Sequence, residues 1–109
     1  MHQVFCCAGP YFALERCQVG STAPLRRTFR TAQVLSNVGG PVEVRTSAGV
    51  EALGRAETLL LPAALGEVEI TGPADVLFGY LPDLERDVVG PLLGAGYPRS
   101  LVATLGEGI

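Results

Sequence analysis

The sequence predicts an all-β fold with a short helical tail, and three observations carry that prediction. Short apolar runs, separated by turn residues, recur from position 4 to about position 81. Several runs alternate strictly, as in 42–46, where valine and threonine share one face and Glu43 and Arg45 the other. After Pro82 the alternation gives way to helical spacing. Strands of about 4–8 residues at close spacing need two sheets, which favours a jelly roll or β-sandwich barrel with one or two short C-terminal helices.

Turn residues divide the β part into eight predicted strands. Pro24 and the basic cluster that follows it are interpreted as a loop leading into the third strand. Gly39-Gly40 is interpreted as a hairpin turn, because paired glycines supply the positive φ angles that such turns need. The predicted strands are 4–7, 11–19, 31–38, 41–46, 50–53, 58–61, 67–71 and 75–81.

The tail carries helix signals of its own. Asp83 is a candidate helix cap, and Leu84 and Val88 lie four residues apart on one helical face. Pro98 is a good first-turn residue for a second helix. We therefore expect a single domain over 1–109, with its β part at about 4–81 and its helical tail at about 82–109.

Composition limits the classes of partner. Of the 109 residues, 48% are apolar and 17% charged, which is a globular composition. The formal net charge of −3 gives no electrostatic case for nucleic acid or for an anionic membrane. The first residues do not form a signal peptide, and no stretch approaches the roughly 18 apolar residues of a membrane span, so we expect a cytoplasmic protein.

The residue types that hold metals or carry out catalysis are sparse. The one histidine, His2, and the cysteines Cys6, Cys7 and Cys17 lack the spacing of a metal site, and three cysteines do not make a disulfide framework. There is no lysine, which excludes Schiff-base chemistry. The residues themselves therefore predict no metal, no cofactor and no catalytic residue.

Arg26, Arg27 and Arg30 are the candidate ligand-binding residues, because guanidinium groups grip phosphate and carboxylate in a bidentate manner. The competing interpretation is a solvated loop whose charges pair with nearby acids. The glutamates Glu67 and Glu69 share one face of an alternating strand with valine and isoleucine on the other, which is typical of a solvent-facing surface.

Four segments in order carry a resemblance to a known family: "YFALERC" (11–17), "VLSNVGG" (34–40), "LLLPA" (59–63) and "EVEITG" (67–72). Over about 10–81 the chain resembles the C-terminal cupin domain of type I mannose-6-phosphate isomerases. The resemblance implies a cupin barrel. In that family a zinc ion is held by Gln, His, Glu and His, but those ligands come mainly from outside the matched region. None of them is carried over to a residue here.

Two hypotheses follow. The first is a metal-free cupin-like module that serves as a structural, sugar-binding or partner-binding unit without catalysis of its own, with a sugar or sugar phosphate as ligand and a homodimer as a candidate assembly. The alternative is a subunit or fragment of a sugar-phosphate isomerase whose zinc-binding catalytic half lies on another chain.

Overall fold

The computed structural model describes residues 2–20 and 23–106, and within them nine strands form two antiparallel sheets. The strands are β1 (His2–Ala8), β2 (Ala13–Val19), β3 (Leu25–Thr28), β4 (Gln33–Asn37), β5 (Val42–Thr46), β6 (Gly49–Leu53), β7 (Thr58–Leu61), β8 (Glu67–Thr71) and β9 (Ala74–Tyr80).

The two sheets interleave along the chain. The five-stranded sheet has the order β1-β2-β9-β4-β7, and the four-stranded sheet has the order β3-β8-β5-β6. Consecutive strands from β2 to β5, and again from β6 to β9, lie in opposite sheets, so the chain crosses repeatedly between the layers. This arrangement confirms the predicted jelly roll.

The main core lies between the sheets because each strand turns alternate residues inward. Along β9 the buried side chains are those of Ala74, Val76, Phe78 and Tyr80. The facing sheet contributes buried aliphatic side chains from β3, β5 and β8, among them those of Leu25, Val44 and Ile70. The predicted inward side of 67–71 is confirmed, since Val68 and Ile70 are fully buried.

The basic segment after Pro24 is a strand and not the loop that the sequence predicts. β3 pairs antiparallel with β8, with Leu25 opposite Ile70 and Arg27 opposite Val68. The prediction was wrong because Leu25 is the only apolar residue in this strand. The next inward position of this strand holds Arg27, a charged residue that sequence alternation assigns to solvent.

Gly39-Gly40 links the two sheets and does not close the predicted hairpin, since β4 and β5 do not pair with each other. Glycine is needed here for close approach: a Cβ on Gly39 would lie 2.9 Å from the Cβ of Asp75. The buried Asn37 holds the crossing. Its Nδ2 donates to the carbonyls of Gly40 (3.0 Å) and Leu53 (2.9 Å), and its Oδ1 accepts from the N–H of Gly39.

The tail is helical, as predicted. A π-helical turn at Leu84–Val89 runs directly into α1 (Gly90–Gly94); after a break, α2 (Arg99–Val102) follows and ends in a 3₁₀ turn at Ala103–Leu105. Asp83 caps the first segment, where its Oδ1 accepts from the N–H of Arg86. The tail packs on the first two strands through a second buried cluster, which contains Ala8, Ala13, Tyr80 and Val88. Among the described residues no helix is long and apolar enough to cross a membrane.

Two leucines, one buried and one exposed, allow a controlled test of the core. Leu35 is fully buried on β4, whereas Leu60, on the neighbouring strand β7, is 62% exposed. We expect Leu35→Ala to lower the free energy of unfolding by about 2–5 kcal/mol, since it leaves a cavity between the sheets. Leu60→Ala should change it by less than about 0.5 kcal/mol. Urea unfolding measures both, and equal losses would contradict the described core.

Candidate functional site

A polar cavity of about 520 Å³ lies at one end of the barrel. Residues of β1 to β4 and β9 line it, together with residues 29–31 between β3 and β4 and with Arg86 and Asp87 from the first helical segment. We call it the mouth cavity. Its polar and charged lining residues are Gln3, Glu15, Arg26, Arg27, Thr28, Arg30, Thr31, Gln33, Tyr80, Arg86 and Asp87.

Strand alternation places the innermost of these residues. Glu15 stands between Ala13 and Cys17 on the inward face of β2, and it is 3% exposed. Gln33 is the inward residue two before Leu35 on β4, and Tyr80 lies opposite Gln33 in the register of β4 with β9. These three strands, β2, β4 and β9, therefore each place a polar residue on the inward face at this end of the barrel.

Glu15 is the centre of this polar layer, and both of its carboxylate oxygens are occupied. Its Oε2 accepts from Nη1 of Arg27 at 2.7 Å and from Nε2 of Gln3 at 2.8 Å. Its Oε1 accepts the hydroxyl of Tyr80. A carboxylate with three side-chain donors, one of them charged, is well compensated for burial.

Arg27 is fixed from several sides. Its Nε donates to Oε1 of Gln33 at 2.9 Å, and its guanidinium carbon lies 4.3 Å from the ring centroid of Phe78 and 5.3 Å from that of Tyr80. Such stacking suits the flat, weakly hydrated guanidinium. The side chain keeps 15% of its surface exposed, so one edge of a preoriented cation faces the mouth cavity.

The network sets the charge state of its members. Burial favours the neutral acid at Glu15, but the hydrogen bond and charge of Arg27, with the bonds from Tyr80 and Gln3, outweigh it and hold the pKa of Glu15 below its ordinary value. Burial and the adjacent Glu15 carboxylate raise the pKa of Tyr80 far above its ordinary value. Near neutral pH, Glu15 is therefore ionised and Tyr80 is a neutral donor. Burial also raises the pKa of Cys17 to about 11, so its thiol stays protonated.

All three arginines singled out from the sequence line the mouth cavity, but in different ways. Arg27 is buried in the network. Arg26 lies outside that network. It forms an ion pair at 3.1 Å with Glu69 on the neighbouring strand β8, and 68% of its side chain is exposed. Arg30, just after β3, is exposed and forms no ion pair with any described residue.

Sequence reasoning missed Glu15, Gln33 and Tyr80 as members of a site. A signal was available for Glu15, because it lies within a predicted strand with Ala13 and Cys17 two residues to either side. A charge at an inward position must find a partner inside the fold. The sequence could not name that partner, because Arg27 lies on a strand that was predicted as a loop.

The lining residues do not fit a metal ion of the kind held by the isomerase family. No group of three or more His, Cys, Asp and Glu residues within the described part of the chain could hold one. Glu15 already accepts three hydrogen bonds, and Arg27 places a positive charge beside it. Cys6 and Cys7 are exposed and Cys17 is buried, while the side chain of His2 lies outside the described part.

Comparison with known proteins bears on the fold. No family model and no curated protein matches the sequence. Solved structures do. A cupin superfamily protein from Desulfitobacterium hafniense DCB-2 superimposes with a TM-score of 0.63 at 12% identity, over 75% of this chain and 77% of that one. An RmlC-like cupin from Shewanella frigidimarina NCIMB 400 gives a TM-score of 0.58 at 14% identity, over 71% and 70%.

The chain has the cupin fold. Mannose 6-phosphate isomerase from Bacillus subtilis is also similar, with a TM-score of 0.56 at 15% identity over 67% of this chain. The match spans only 23% of that isomerase. Identities this low show a shared fold and leave function to be argued from the mouth cavity of this chain.

The buried carboxylate predicts a pH dependence. Because the folded pKa of Glu15 is lowered, its contribution to stability is present above its unfolded pKa and is lost as the pH falls through the folded value. Glu15→Gln should lower the free energy of unfolding by about 3–5 kcal/mol at pH 7, since Arg27 loses its buried counter-charge. The difference from the wild type should shrink as the pH falls below about 4.3.

Urea unfolding at several pH values measures this effect. Glu67→Gln, an exposed glutamate at the start of β8, is the matched control and should show little change at any pH. A Glu15→Gln penalty that stays constant down to pH 3 would contradict the assignment of an ionised Glu15.

Proposed function

We propose that this cupin is a non-catalytic module that binds a small organic anion, a sugar phosphate, in the mouth cavity without a metal of its own. The observation that carries the proposal is the charge of the lining: four arginines against two carboxylates, in a chain whose formal net charge is −3. Positive charge collected in a cleft of an acidic protein favours an anionic ligand.

The four arginines of the mouth cavity differ in what they can offer to a bound anion. Arg30, exposed at the cavity and without an ion pair among the described residues, supplies the charge that a phosphate group would take up. Arg27 presents a fixed edge, since Glu15 and Gln33 hold it in place and binding costs it little conformational freedom. Arg26 and Arg86 are already paired, with Glu69 and Asp87, and contribute less.

The remaining lining suits a sugar. Gln3, Gln33, Thr28 and Thr31 offer amide and hydroxyl groups to hydrogen-bond with hydroxyls. A volume of about 520 Å³ lies within the range of small-molecule sites. The combination of several uncharged polar groups with excess arginine supports a phosphorylated sugar over a bare anion.

The geometry supports binding without chemistry. Aldose–ketose isomerisation needs a group that moves a proton between adjacent carbons. Glu15, the buried carboxylate of the cavity, has both oxygens occupied by donors from Arg27, Gln3 and Tyr80. Tyr80, whose pKa is raised, keeps its proton and donates it in a hydrogen bond to Glu15. Neither group is placed to accept a substrate proton.

A second candidate is supported by the likeness to mannose 6-phosphate isomerase, of which this chain matches 23%. In that case the chain is one part of a cytoplasmic sugar-phosphate isomerase, and its partner is a separate metal-binding catalytic chain. Isomerase activity that arises only when the two chains are mixed would favour this candidate over a free-standing binding module.

Calorimetric titration with mannose 6-phosphate and with mannose tests the proposal. We expect the phosphate to bind at least about tenfold tighter than the sugar, because a charge-assisted hydrogen bond contributes about 1.5–3 kcal/mol. Arg30→Gln should weaken binding of the phosphate by about tenfold on the same grounds. Arg55→Gln removes an exposed arginine outside the mouth cavity and is the matched control.

Titration in the presence of EDTA should give the same affinity. Equal binding of mannose and mannose 6-phosphate, or no effect of Arg30→Gln, would contradict a phosphate site at Arg30. Loss of binding with EDTA would contradict metal independence.

A further inference from the structure

A second cavity, of about 630 Å³, lies between the first strand and the helical tail. We call it the tail cavity. Its lining is mainly apolar and includes Phe5 from β1 and Leu92 from α1, with Tyr97, Leu101 and Leu105 from the last part of the tail. Tyr97 is 50% exposed and Leu101 52% exposed, so two large apolar side chains stay open to solvent beside it.

The two cavities are adjacent, since Gln3, Glu15 and Asp87 line both of them. Of these side chains, Glu15 is fixed by its network, whereas Gln3 is exposed and tied to Glu15 by a single hydrogen bond. The boundary between the cavities is therefore polar, and Gln3 is less firmly held there than Glu15.

The charges of the cavities differ. Four arginines line the mouth cavity, while no arginine lines the tail cavity, whose charged residues are Glu15 and Asp87. An anionic group is attracted to the first and repelled from the second. An apolar group gains from leaving water in the second, where Tyr97 and Leu101 are half exposed.

We propose that the ligand is amphipathic: its anionic head lies in the mouth cavity and an apolar substituent extends past Gln3 into the tail cavity. The ligand class is an organic phosphate ester with an alkyl or aryl group. This inference rests on the proposed function, because it needs the arginine-lined cavity to hold the head. It gives the helical tail a role, that of building the apolar half of the site.

Titration with three probes tests the inference: inorganic phosphate, hexyl phosphate and neutral hexanol. Each buried methylene contributes up to about 0.8 kcal/mol, so we expect hexyl phosphate to bind at least about tenfold tighter than inorganic phosphate. Hexanol should bind much more weakly than hexyl phosphate, since it lacks the charge that the arginines take up.

Two variants test whether the hexyl group of the probe lies in the tail cavity. Both change half-exposed residues, so the buried core is left intact. Leu101→Gln and Tyr97→Ser should each weaken hexyl phosphate by about tenfold and leave inorganic phosphate unchanged. Leu60→Gln and Tyr11→Ser make the same changes at exposed residues outside both cavities and should have no effect. Circular dichroism checks that all four variants are folded.

The outcomes separate the inference from the function it rests on. Equal affinity for hexyl and inorganic phosphate, with mannose 6-phosphate still bound, overturns the amphipathic ligand alone. Hexyl phosphate binding that Leu101→Gln and Tyr97→Ser leave unchanged overturns it as well, as does hexanol binding as tightly as hexyl phosphate. Failure of inorganic phosphate and mannose 6-phosphate to bind overturns the proposed function itself.

Discussion

The buried ion pair between Glu15 and Arg27 is the interaction on which this end of the barrel depends. A carboxylate that is 3% exposed is tolerated inside this barrel only because a charged donor and two neutral donors reach it. The pair joins the two sheets, since Glu15 belongs to β2 and Arg27 to β3. It therefore fixes the distance between the layers where the apolar core ends.

The same pair decides what the mouth cavity can do. Arg27 donates to Oε2 of Glu15 and Tyr80 to Oε1, so both carboxylate oxygens already accept hydrogen bonds within the protein. What remains available is the exposed edge of Arg27 and the nearby Arg30, and these suit an anion. The helical tail packs beyond this layer and helps to form an apolar cavity. Glu15 and Asp87 line both this cavity and the mouth cavity. Arginines therefore line one of two adjacent cavities, and apolar side chains line most of the other.

The sequence predicted the jelly roll because most inward positions are apolar, and alternation is visible wherever that holds, as at Val42 and Val44 on β5. It failed where an inward position is polar. Because Arg27 is charged, β3 was predicted as a loop. Glu15 was not recognised as a buried residue of the site, although it lies within a predicted strand. Alternation also does not show which strands pair with each other. The connection at Gly39 between the two sheets was therefore predicted as a hairpin turn. The arginines singled out from the sequence line the mouth cavity, whereas the residues that bind Arg27 there were not anticipated.

A double-mutant cycle on Glu15 and Arg27 tests the central claim most directly. The free energy of unfolding is measured for the wild type, Glu15→Gln, Arg27→Met and the double variant at pH 7. Methionine keeps much of the apolar stem of Arg27 against Phe78 while removing its charge. We predict a coupling of about 1–3 kcal/mol, with the double variant more stable than the sum of the two single losses implies. Additive losses, with no coupling, would show that the pair does not hold the mouth of the barrel.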